Sequence, residues 1–197
     1  FPDAKIEEMP DDYNIFNESG ASVGARATPS RRPVLPLKTY EEFNTDPLNV
    51  ILNAFSKIAH TGEGAAIQIL MRPSHRDDLK KLAQKTAREM QSGYRFSEAL
   101  SRAKRPPKKP TANDQQQMTP RVVTPFEEEI IKSVQSKATK PLFDTNIRIV
   151  VSADNEMRAK QLLADMEGAF VQFTSSEMNG LKTSKVSSGA LKKLLFN

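Results

Sequence analysis

The sequence predicts an α+β fold of ferredoxin-like kind, with helices laid on one face of a sheet. Two observations carry that expectation. Apolar residues recur at helical spacing in four stretches and at strand spacing in three others. The two periodicities also follow one another as helix, strand, helix twice along the 197 residues, with a basic segment between the repeats.

Residues 1–32 read as a short strand plus a flexible loop. In "FPDAKIEEM", Ala4, Ile6 and Glu8 alternate with Lys5, Glu7 and Met9, and a Gly/Ser/Ala stretch follows. The first α+β half spans 33–102. "RPVLPLKTY" opens it as an extended piece kept out of helix by Pro33 and Pro36. Asp46 caps the next helix, Pro47 suits its first position, and Leu48, Ile51, Leu52, Phe55, Ile58 and Ala59 form its stripe. "AAIQILM" is a mostly apolar strand ended by Pro73. Ser74 then caps a helix whose buried side is Leu79, Leu82, Ala83, Thr86, Ala87 and Met90. After Gly93, "FSEAL" starts a short turn.

Residues 103–123 hold proline, lysine and glutamine with almost nothing apolar, a linker by composition. The second half, 124–197, opens with a capping box, Thr124 and Glu127 around Pro125. Phe126, Ile130 and Val134 supply that helix's buried face. In "LFDTNIRIVVSA", Phe143, Thr145, Ile147, Ile149 and Val151 share one side of a strand. Asp154 caps the last helix, with Met157, Leu162, Leu163, Met166, Ala169, Phe170 and Phe173 inward.

The chain contains no cysteine, so thiolate metal sites and disulfides have no ligands in it. "HTGEG" is the one glycine pair that looks like a phosphate loop. Its order is helix, turn, strand, the reverse of a phosphate cradle, and a helix C-terminus presents partial negative charge. Gly62 and Gly64 are therefore expected to turn the chain, Gly62 as a helix C-cap. His60 and His75, with Glu63 and Asp77 nearby, fall short of a metal site's ligand spacing and read as surface residues. Glu127, Glu128 and Glu129 sit in a helix's first turn, where the macrodipole favours carboxylates. The residues give no catalytic, cofactor-binding or metal-binding assignment, and no cofactor is expected.

The net charge of +5 is local. Between Ser101 and Arg121 lie Arg102, Lys104, Arg105, Lys108, Lys109 and Arg121 against the single acid Asp114. This segment is either a solubilising linker or a weak, salt-sensitive contact for nucleic-acid phosphates or anionic lipid. It has no aromatic residues to stack bases. Gln68, amid the apolar strand, and Arg72, at its end, read first as residues satisfied at the sheet edge, with contact to a neighbouring domain or subunit as the alternative.

"FPDAKIEEMPDDYNIF", "LPLKTYEEFNTDPLNVILNAFSKIAHTGEGAAIQILMRP" and "NIRIVVSADNEMRAKQLLADMEGAFVQF" together resemble the region preceding the motor in bacterial TraC-like ATPases. These are the VirB/TraC, HerA–FtsK-related ATPases of type IV secretion and conjugation. Asp46, Pro47, Gly62, Gly64, Gln68, Arg72, Pro73, Arg148, Phe170 and Gln172 match that pattern. The resemblance implies an accessory α+β domain, cytoplasmic and peripheral to the inner membrane. Its implied partners are inner-membrane secretion components and adjacent ATPase subunits, and homo-oligomers would form through a motor following Asn197. Both ends of the chain read as cut. The chain lacks the Gly-x-x-x-x-Gly-Lys-Ser/Thr loop, so no catalytic or nucleotide-binding residue carries over and this segment is expected not to be an enzyme. The expected function is docking. A nucleic-acid module built on 101–121 is the first alternative, and a small enzyme without a recognisable motif the second.

Overall fold

Small residues make the first strand. Ala25 and Ala27 lie fully inside and Val23 packs beside them, so Ala21–Pro29 is strand β1 and not the flexible loop expected there. Alanine, serine and glycine give little hydropathy contrast, and this hid the period of two. The structure is a computed structural model and describes residues 14–59, 61–106, 121–175 and 178–187. The strand expected over residues 4–9 lies outside the described residues.

Three more strands join the sheet: β2 (Gly64–Pro73), β3 (Phe143–Ala153) and β4 (Leu181–Lys185). Their order is β2-β3-β1-β4, and every neighbouring pair is antiparallel. With helix α1 (Pro47–Phe55) between β1 and β2, and α5 (Glu156–Ala169) between β3 and β4, this is the ferredoxin-like topology. The fold is therefore α+β, as the periodicities predict. One sheet runs through both segments, because β2 from the first pairs directly with β3 from the second.

The helices α1 and α5 cover the face that carries Ala25, Ala27, Ile149, Val151 and Ala153. Ala159, Leu162, Leu163 and Met166 of α5 pack onto it. Alanines on both sides of this contact let helix and sheet approach closely, a packing in which each methylene matters. Asp46 caps α1 as expected, accepting from Leu48 N at 2.9 Å. The α1 stripe is narrower than its sequence suggests. Ile51, Ala54 and Phe55 turn inward, whereas Leu48 and Leu52 are exposed. In α5, Met157 is likewise exposed, and the cap is Asn155, not Asp154. Asp154 instead accepts from Asn17 Nδ2.

Between β2 and β3 the chain inserts three helices, α2 (Asp77–Gln91), α3 (Phe96–Ala103) and α4 (Pro125–Thr139). They enclose a second core of Ala83, Ala87, Met90, Leu100, Ile131 and Val134, with Val34 and Leu35 pushed in from the β1 exit. "FSEAL", expected as a turn, is the start of α3. Ser74 does not cap α2, whose N-cap is Arg76, because its hydroxyl donates to Asp144. The capping box of Thr124 and Glu127 forms as expected, and backbone hydrogen bonding at Thr124 holds the Glu127 carboxyl below its usual range. Phe126 of α4, expected inside, is exposed, and Ile131 is inside with Ile130 and Val134.

Two polar side chains fasten the β1 exit between the cores. Lys137 Nζ donates to the carbonyls of Pro33 and Leu35, at 2.6 and 3.2 Å, and burial pushes its pKa down. Asn179, fully buried, accepts from Arg31 N at 2.8 Å and donates to the carbonyls of Arg32 and Leu35.

Candidate docking surface on the edge strand

The turn before β2 is held from three directions. Gly62 has φ +77°, a left-handed conformation that favours glycine. It lies in the turn before β2 and does not cap α1, which ends at Phe55. Glu63 is bidentate to Arg158, with contacts of 2.6 and 3.1 Å, and also accepts from Ala59 N. The Arg158 hydrogen bond, followed by the Ala59 N–H, holds the Glu63 carboxyl below its ordinary range. Asn17 bridges the Gly62 carbonyl and Asp154. These bonds occupy Glu63 structurally. His75 is exposed on the loop after β2, and His60 lies outside the described residues. Among the described residues no three His, Cys, Asp or Glu side chains come together as a metal site.

The basic segment is divided by the structure. Arg102 pairs with Glu89 at 2.9 Å and lies over the Tyr94 ring at 4.1 Å. Arg121 pairs with Glu127 at 2.8 Å. Lys104 and Arg105 are exposed at the end of α3, and Lys108 and Lys109 lie outside the described residues. Ion pairs thus engage Arg102 and Arg121 within the helical insertion.

Gln68 and Arg72 both sit on β2, an edge strand whose outer side pairs with no described strand. Gln68 stands opposite Arg148 and accepts from its Nη1 at 3.3 Å. Arg72 stands opposite Asp144 in a loose pair at 3.6 Å. Arg72, with Arg26, Leu70, Asp144 and Asn146, borders a shallow depression of about 530 Å³. Asn146 Oδ1 is out of solvent there and meets no donor among the described residues. Arg148, Phe170 and Gln172 from the resemblance pattern hold structural places: a cross-strand partner, a core ring, and a bond from Gln172 Nε2 to the Pro47 carbonyl.

On the other face of β2, Ala65 and Ile67 enter the core, and the same face continues through Ile69 and Met71. These two are 53% and 68% exposed, and Phe143, across from Pro73, is 56% exposed. Helix and strand lengths explain it. The nine residues of α1 reach roughly 14 Å. The ten of β2 span roughly 33 Å, so the far half of the strand outruns its helical cover. Leu48 and Leu52, one turn apart on α1, add apolar surface. Contiguous exposed apolar surface of this kind marks an interaction site, and an unpaired strand edge is a template for another chain.

Sequence reasoning marked Gln68 and Arg72 but missed Ile69, Leu70, Met71 and Phe143. The available signal was an apolar run without polar alternation, closed by one charge and a proline. That pattern reads equally as a buried strand.

Among the described residues no helix is long and apolar enough to cross a membrane. Comparison with curated proteins found no match, and comparison with solved structures found none either. A family model does match, over residues 1–195, and the chain belongs to that family, the domain of unknown function DUF8128.

Proposed function

We propose that this chain is a non-catalytic docking domain that holds another protein chain along the β2 edge. The carrying observation is the exposed apolar row of Ile69, Met71 and Phe143 beside a strand edge that pairs with no described strand. Burying such a row releases water from apolar area, while the edge N–H and C=O groups supply direction. Following the resemblance of the sequence, the setting is a TraC-like secretion or conjugation ATPase. The domain positions the motor at the cytoplasmic side of the inner membrane, through contacts with membrane components and adjacent subunits. Peripheral association of this kind needs no membrane span in the domain itself.

A photo-crosslinking residue at Met71, with Lys85 of α2 as the exposed control, tests this in cells. The expected result is a discrete adduct at position 71, absent at 85, that contains a secretion component or a copy of the parent ATPase. Equal labelling at both positions overturns the docking surface. An adduct only with unrelated proteins overturns the secretion setting.

A further inference from the structure

We infer that the acidic segment 1–13 of this chain, which lies outside the described residues, docks on the open face of the sheet, the face turned away from α1 and α5. The docking reading above concerns the β2 edge and the opposite face, so the two stand or fall separately. Ala25, Ile67, Ile147, Ile149 and Leu181 point into the core. Strand alternation therefore places Arg26 of β1, Arg72 of β2, Arg148 of β3 and Lys182 of β4 on the open face, around Asn146. Asp144 is the one acid among the strand residues of that face. Residues 1–13 carry the opposite balance, Asp3, Glu7, Glu8, Asp11 and Asp12 against the single Lys5.

Charge alone would suit any polyanion, and three further observations favour this segment. First, the chain that leads out of it is already seated on the face. The Ile15 carbonyl lies against Gly64, and Asn17 N donates to Ser152 Oγ at 2.9 Å. Gly64 and Ser152 are cross-strand partners on the open side. Second, the reach fits. Met9 stands six residues before Ile15, and Leu70 stands six residues after Gly64. Both stretches span roughly 20 Å when extended, so a segment running along β2 brings Met9 over Leu70. Asn14 Oδ1 accepts from Phe16 N at 2.9 Å, an Asx-turn at which the chain changes direction. Third, Asn146 Oδ1 is out of solvent on this face and meets no donor among the described residues. Phosphate groups bring acceptor oxygens, whereas a peptide brings backbone N–H donors together with its carboxylates. The tether adds a high effective concentration that no free peptide has.

The chain has no cysteine, so introduced pairs report the contact cleanly. Met9→Cys is combined with Leu70→Cys on the open face or with Ile69→Cys on the opposite face, both exposed positions of one strand. The tethers are nearly equal, so random collision gives nearly equal rates. Under mild oxidation in dilute protein, the intramolecular disulfide should form about tenfold faster with position 70 than with position 69. Equal rates, or a preference for position 69, overturn the inference. The preference should collapse when Asp3→Asn, Glu7→Gln, Glu8→Gln, Asp11→Asn and Asp12→Asn are introduced together. It should also collapse with Arg26→Gln and Lys182→Gln on the face, and in 1 M salt, where charges are screened beyond about 3 Å. A preference that survives neutralisation of either the segment or the face overturns the charge complementarity on which the inference stands. Crosslinking at Met71 in cells reads the opposite face, so either outcome leaves the docking reading to its own test.

Discussion

Asn179→Ala is expected to cost more than about 3 kcal/mol, because several backbone groups lose their buried partner together. Asn179 Oδ1 accepts from the N–H groups of Arg31 and Gly180, at 2.8 and 3.0 Å. Its Nδ2 donates to the carbonyls of Arg32 and Leu35, at 3.1 and 3.3 Å. Alanine removes all of these and leaves the groups away from water. The segment they hold is the one that inserts Val34 and Leu35 into the helical core, so both cores should loosen together. Thermal unfolding would show a Tm lowered by roughly 10 °C, since each kcal/mol moves a chain of this size by about 2–4 °C. Asn179→Asp should also be destabilising, because a carboxylate cannot donate to the two carbonyls. A drop of only a degree or two in the alanine variant would show that water replaces the side chain at no cost.

Gly64→Ala is the second large effect, at about 2 kcal/mol or more. A Cβ at Gly64 would run into the carbonyl of Ile15, a backbone group that cannot swing aside. Relief requires the arm at residues 14–17 to move, and that arm carries bonds from Asn17 to Ser152, Gly62 and Asp154. Chemical denaturation measures the loss, and proteolysis should cut the arm first. Gly168→Ala is the control, since a Cβ there meets nothing within 4 Å, and alanine suits a helix interior better than glycine. Equal stability of the two variants would contradict the close approach at Gly64.

These positions also show what could be read from the sequence. The glycine pair was legible as a turn, but its second member is fixed by a contact 49 residues away in sequence, which local pattern cannot reveal. Helix starts with local chemistry were legible: Asp46 and Pro47 at α1, and the Thr124–Glu127 box at α4. Ser74 and Asp154 were misread as caps because tertiary partners, Asp144 and Asn17, draw their side chains elsewhere. β1 was missed because small residues permit the close packing of α5 yet give almost no hydropathy signal. Gln68 and Arg72 stood out as polar residues in an apolar strand. Their apolar neighbours did not, because their exposure depends on α1 being too short to cover β2, a relation between elements far apart in the chain.

Amide hydrogen exchange along β2, read residue by residue in dilute protein, tests the open strand edge most directly. Alternate N–H groups from Ile67 to Arg72 should exchange fast, because they point away from β3, while the groups bonded to β3 stay slow. Uniform protection of β2 in dilute protein, matching the central strand β3, would mean that the edge is already covered and would contradict docking there.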